Sequence, residues 1–278
     1  MRKGNQMRSS LFLALVASAI VFQVSNALAS VVYSNNFETN TAGFSAGAQV
    51  AQPTDGSPFS SPTMTSTFLG EFGGNSSTVL SLPGLTSGQT YTLEFDLFIG
   101  RSWDGNAIND VSPSVVGPDQ WRLTGTGITG GTLVDTTFNN LNPSDGRLDN
   151  YTQNYSDSNP IGPGTNVSFT GADIMYNNAS LHWYTRYAIY YFSHGSGNPV
   201  LSFTSTGTSV SLTFAGIGLQ DSPDEFWALD NVVVSSQVAN VPEPDSMLLS
   251  SVGVAVCAFP RLRRIRPSVV RSLNPFQG

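Results

Sequence analysis

The sequence predicts an all-β sandwich folded from one stretch of chain, and three observations carry the prediction. Apolar and polar residues alternate over several short runs, which is the period of a half-buried strand and not of a helix. Clusters of Gly, Pro, Ser, Asn and Asp separate those runs, as the turns between sandwich strands require. Cys257 is the only cysteine, so the body of the chain cannot lean on disulfides and must bury a core.

In chain order, residues 1–29 read as a signal peptide. Arg2, Lys3 and Arg8 precede the apolar run 11–24, and Ala27-Leu28-Ala29 offers the small residues a signal peptidase requires, with cleavage expected before Ser30. Residues 30–240 then form the folded body, 211 positions long, enough for one sizeable core. Its clearest strand is TYTLEFDLFI (90–99), where Tyr91, Leu93, Phe95, Leu97 and Ile99 share one face, with Thr92, Glu94 and Asp96 on the other. SVSLTF (209–214) repeats the pattern. STVLSL (77–82), QWRLT (120–124), TLVDTTF (132–138), RYAIYYF (186–192), PVLSFTS (199–205) and WALDNVVV (227–234) are shorter candidates. SHGSGN (193–198) reads as a hairpin connection. The segment 139–166 has no sustained period, and a loop of that length is expected to be functional or mobile. No internal repeat is visible, so at this length a jelly roll is expected over a propeller or an immunoglobulin-type domain.

Charge narrows the partners. Between residues 30 and 240 the cations are Arg101, Arg122, Arg147 and Arg186, against seventeen acids, giving 4 − 17 = −13. Such a surface repels phosphate backbones and anionic lipid, which argues against nucleic acid and membrane partners. It suits divalent cations, neutral polysaccharides, or simple solubility.

Candidate chemistry is sparse. Asp104, Asn106 and Asp110, with Asp119 nearby, cluster in a Gly-containing loop after Trp103 and offer oxygen ligands for calcium, although Asp-Gly-Asn also makes ordinary turns. Trp103, Tyr151, Tyr155, Trp183 and Tyr184 lie near loops where aromatic rings could stack on sugars, while Trp121 and Trp227 read as core. His182 and His194 have neither metal-ligand spacing nor a thiol partner and read as surface residues. Glu94 and Asp96 stand about 7 Å apart on one strand face, a spacing that any polar strand face offers and that by itself does not make a glycosidase. GFSAG (43–47) matches a nucleophile-elbow pattern at Ser45, but no helix follows it.

The C-terminal segment 241–278 is more specific. Val241-Pro242-Glu243-Pro244 leads into an apolar run, Met247 to Pro260, and then Arg261, Arg263, Arg264 and Arg266. That order resembles the PEP-CTERM sorting signal, with the departure that PSVVRSLNPFQG continues beyond the arginines. The resemblance implies export by the Sec pathway, processing by an exosortase, and delivery to the bacterial surface or an exopolysaccharide matrix. The physics is that of a temporary stop: 14 residues make about 21 Å of helix against a ~30 Å hydrocarbon core. Membrane contact through 247–260 is therefore expected to be transient, with the arginines held inside.

More loosely, Asn36-Phe37-Glu38 with Gly43-Phe44, and Leu229-Asp230-Asn231-Val232-Val233-Val234, resemble the opening and closing strands of carbohydrate-binding and lectin-like jelly rolls. That resemblance implies a structural calcium shared by Glu38 and Asp230. The expectation is a non-enzymatic, exopolysaccharide-associated surface protein. A surface polysaccharide hydrolase on the same fold, and a structural coat protein without ligand, are the alternatives.

Overall fold

The computed structural model describes residues 29–50, 67–107, 117–141, 152–176, 186–193 and 195–237. Residues 1–28 of the expected signal peptide and the expected sorting segment 241–278 lie outside these residues, as do Asp110, Tyr151, His182, Trp183, Tyr184 and His194. Leu28–Val238 forms a compact unit of its own.

Every regular element among the described residues is a strand: β1 (Val31–Asn35), β2 (Ala48–Val50), β3 (Phe68–Phe72), β4 (Ser77–Pro83), β5 (Thr90–Arg101), β6 (Gln120–Thr126), β7 (Thr132–Thr137), β8 (Ile174–Tyr176), β9 (Tyr187–Phe192), β10 (Leu201–Thr204), β11 (Ser209–Ile217) and β12 (Glu225–Ser236). They pair into an eight-stranded antiparallel sheet ordered β2-β3-β12-β5-β9-β8, with β1 also on β12 and β10 on β5, and a four-stranded sheet ordered β4-β11-β6-β7. The chain passes back and forth between them: β4 lies in the small sheet, β5 in the large, β6 and β7 in the small, β8 to β10 in the large, β11 in the small and β12 in the large. This is the interleaving of a jelly-roll sandwich and not of two separate meanders. The expected fold class is the observed one.

Period-two alternation builds the core. Leu93, Phe95, Leu97 and Ile99 of β5, Val210, Leu212 and Phe214 of β11, and Trp227, Leu229, Val232 and Val234 of β12 are all buried in one cluster between the sheets. Aromatic rings dominate its centre. Phe95 meets Trp121 at 5.8 Å and the edge of Phe214 at 5.7 Å, and Trp121 meets Trp227 edge-on at 6.2 Å. Such pairs add to what burial alone contributes. Trp121 and Trp227 are fully buried, as their strand contexts predict.

Three local expectations need correction. SHGSGN does not make a hairpin. β9 pairs with Phe95–Gly100 and β10 with Thr90–Leu93, both antiparallel to β5 on the same edge. The two are therefore one strand interrupted by an excursion, made possible because β5 is long enough to seat both. The opening strand is Val31–Asn35 and not the Asn-Phe-Glu that follows: Phe37 turns the chain with φ 55° and buries its ring. Finally, residues 152–170 are packed. Tyr155 is fully buried against Phe138 at 4.7 Å and Tyr190 at 5.0 Å. Gln153 and Asn166 exchange backbone hydrogen bonds of 2.9 Å.

Candidate metal centre

Two segments close in sequence and a third from the far end of the body converge at one end of the sandwich, and each delivers a buried carboxylate. The first leaves the end of β5. Ser102 donates through its backbone N–H to Asp224 O and through its hydroxyl to Asp224 Oδ1, and the Trp103 indole donates to Phe226 O at 2.9 Å. These bonds fix the next residue, Asp104, which bridges to Asn139. Gly105 then turns with φ +66°, and a Cβ there would stand 2.3 Å from Thr152 O, so both the backbone angle and the close approach require glycine.

The second segment ends at Asp119, just before β6. Its N–H donates to Gly105 O at 2.8 Å, and its carbonyl accepts from Phe138 N. The third is Glu225, the first residue of β12, held by the turn Asp221–Asp224 and paired across the sheet with Arg101. The Arg101 guanidinium turns to Glu71 at 3.0 Å and lies 4.6 Å from the centre of the Phe226 ring.

Asp104, Asp119 and Glu225 present carboxylate oxygens that all lie within 4.8 Å of one another, and all three residues are buried. Two are aimed by backbone donors. Asp104 N–H donates to Asp119 Oδ2, and Gln220 N–H donates to Glu225 Oε2 at 2.6 Å. The other oxygens, Asp119 Oδ1 and Glu225 Oε1, are buried and accept from no backbone amide, side-chain amide or hydroxyl. Burial, reinforced by the neighbouring carboxylates Glu225 and Asp104, raises the Asp119 carboxyl well above its ordinary range. Burial likewise lifts Glu225 to about 8 against the Gln220 amide, which favours its charge. Without a cation, one proton shared between Asp119 and Glu225 relieves the crowding. Carboxylate oxygens without thiol or imidazole suit hard cations of the calcium and magnesium class.

The loop cluster expected from sequence is therefore redrawn. Asp104 and Asp119 do meet. Asn106 does not join them: its amide NH2 donates to Thr152 Oγ1, Asn154 Oδ1 and Gly164 O, and its Oδ1 accepts from Thr137 Oγ1 at 2.6 Å. It clamps the 152–164 segment. Glu225 was not among the sequence candidates. Its only local signal is an acid following Asp221-Ser-Pro-Asp224 at a strand start.

Two glycan candidates are corrected as well. Trp103 and Tyr155 are fully buried, Trp103 by its bond to Phe226 O and Tyr155 by a hydroxyl bond to Asn198 Oδ1 at 2.7 Å, so neither ring can stack on a sugar. Glu38 and Asp230 differ in environment. Glu38 is exposed and accepts from Thr67 N at 2.9 Å, whereas Asp230 is buried and accepts from Asn231 N at 2.7 Å. The register of β1 and β3 along β12 brings Thr67 and the turn after β1 to the same stretch of that strand. Ser45 has a structural task, since its Oγ accepts from Val79 N at 3.0 Å and ties the GFSAG turn to β4.

No family model matches the chain, and no curated protein matches it. Among solved structures it is similar to the K3 cleaved adhesin domain of Lys-gingipain from Porphyromonas gingivalis w83, at 13% identity. The match covers 74% of this chain and 98% of that one, with a TM-score of 0.29. A likeness of that degree carries no argument about role.

Proposed function

We propose that the chain is an exported, PEP-CTERM-sorted protein of the bacterial cell surface or exopolysaccharide matrix, acting as a non-enzymatic display or association domain. The observation that supports this most is the closure of the body on itself. Ser30, at the expected cleavage position, exchanges hydrogen bonds with Ser236: Ser236 N donates to Ser30 O at 2.8 Å and Ser30 N to Ser236 Oγ at 3.1 Å. The sandwich thus ties its two ends together just inside the predicted signal and sorting segments. A domain built in this way needs neither flanking segment for its core.

Association with polysaccharide follows from the matrix address and from the acidic, cation-poor surface. With Trp103 and Tyr155 in the core, aromatic contact would fall to Tyr151, Trp183 and Tyr184. Calcium shared by Glu38 and Asp230 belongs to the same reading, as the resemblance to lectin-like jelly rolls implies.

Deletion of 241–278 tests it. The truncated chain is expected to keep its Tm within about 1–2 °C, since the core of the described residues lies between Phe37 and Val234, while losing its surface or matrix location in fractionated cells. Unchanged location would sink the sorting reading, and a large drop in Tm would show the segment to be part of the fold. Retention of the exopolysaccharide on immobilised protein tests association, and no retention overturns it.

A further inference from the structure

We propose that Asp104, Asp119 and Glu225 bind one calcium ion at the end of the sandwich, a site separate from the Glu38–Asp230 pair. The inference does not depend on the export reading.

The clustering of three acids would not by itself mark a site. What points to a ligand is the state of their oxygens. Asp119 and Glu225 are fully buried, each has one oxygen fixed by a backbone amide, and each leaves its second oxygen inside with no amide or hydroxyl donor. A buried carboxylate oxygen left in this way is costly unless a charge meets it. The arrangement is also built into the backbone. Asp104 supplies a carboxylate and, through its N–H, orients the carboxylate of Asp119. The Asp119 N–H in turn donates to Gly105 O, so the two loops lock each other. Asp221 and Asp224 border an open cleft with Leu219, Gln220 and Pro223 immediately before Glu225, and they would draw cations toward this end of the molecule.

Calcium is the commitment within the hard cations. Three carboxylates at this separation can supply up to six oxygens through mono- and bidentate contact, within the six to eight that calcium takes. Magnesium demands near-ideal octahedral geometry and keeps most of its water, which a buried site does not accommodate.

The test uses the full chain after chelation, titrated with CaCl2, with MgCl2, and with Tb3+ read by emission on tryptophan excitation, since Trp103 adjoins Asp104 in the chain. Calcium at about 100-fold excess over Kd is expected to raise the Tm by ~5–10 °C, and Tb3+ emission should saturate and fall when calcium is added. Glu225→Gln and Asp119→Asn should each abolish the emission and the calcium shift. Each keeps the shape of the side chain and replaces one carboxyl of the proton-sharing pair by an amide, so neither is expected to lower the Tm of the chelated protein. Glu38→Gln should leave the Trp-sensitised signal intact.

The proposal is overturned if wild type shows neither shift nor emission. It is equally overturned if both survive in Glu225→Gln and Asp119→Asn, or if Glu38→Gln alone removes them. A magnesium shift equal to that of calcium overturns the choice of ion. Should Glu225→Gln fail to fold, Asp119→Asn decides alone, because its amide oxygen can still accept from Asp104 N–H.

Discussion

Asp96 shows how much one side chain owes to its surroundings. Its place on the polar face of β5 is plain from the alternation of 90–99, yet its chemistry is not. Burial lifts its carboxyl from 3.8 to about 6; the Asn231 amide, at 2.7 Å, favours the charge, and Asp173 opposes it. Because the folded pKa lies above the unfolded one, the protonated form stabilises the fold. That contribution is complete below pH 3.8 and is lost as pH rises through about 6. Asp96→Asn is expected to stabilise the protein by about 1–3 kcal/mol at pH 8, with little effect near pH 4. Urea melts at the two pH values check this, and an equal effect at both would contradict it.

Tyr155 is the opposite case. Its neighbours Asn154, Ser156 and Asp157 give it the look of a solvent-facing loop residue, whereas Phe138, Tyr190 and Phe192 enclose it. Nothing in the local sequence signals partners that come from β9 and from the end of β7. Tyr155→Phe removes the bond to Asn198 Oδ1 and strands a buried acceptor. A loss of about 1–3 kcal/mol in chemical denaturation is expected.

Among elements, legibility follows locality. β5 and β11 announce themselves because alternation is written in adjacent residues. β3, FLGEF, is buried on both faces and has no alternation to read. β8 is three residues long and has no periodicity to detect. The hairpin misreading of 193–198 has the same origin. Turn residues signal that a strand stops, but the strand seated opposite decides whether the chain reverses or resumes.

The segment 152–164 is likewise folded by a residue outside it. The Asn106 amide holds it through three hydrogen bonds, to Thr152 Oγ1, Asn154 Oδ1 and Gly164 O, while Thr137 Oγ1 of β7 fixes the amide from behind, so Asn106→Ala is expected to lower stability by about 2–3 kcal/mol. Amide exchange at Gly164 and Asn154 should accelerate more than exchange in β5. Uniform acceleration would show that the clamp is not local.

For the whole molecule, the sandwich was readable and the acidic centre only partly so. Asp104 and Asp119 lie close enough in sequence to be associated, but Glu225 reaches them only because β12 pairs with β5 and sets Glu225 opposite Arg101. A site made by strand order cannot be found before the order is known.

The same strand carries a mechanical consequence. β12 runs down the middle of the large sheet, flanked by β5 along one edge and by β3 and β1 in succession along the other, and it ends at Ser236, from which the chain continues toward residues 241–278, the proposed sorting segment. If the protein is held at a surface by that end, tension enters a central strand along its axis. The ladders on both sides are then loaded in shear, many bonds at once, instead of being unzipped one at a time from a free edge. A domain tethered through β12 would resist flow and drag with its whole sheet.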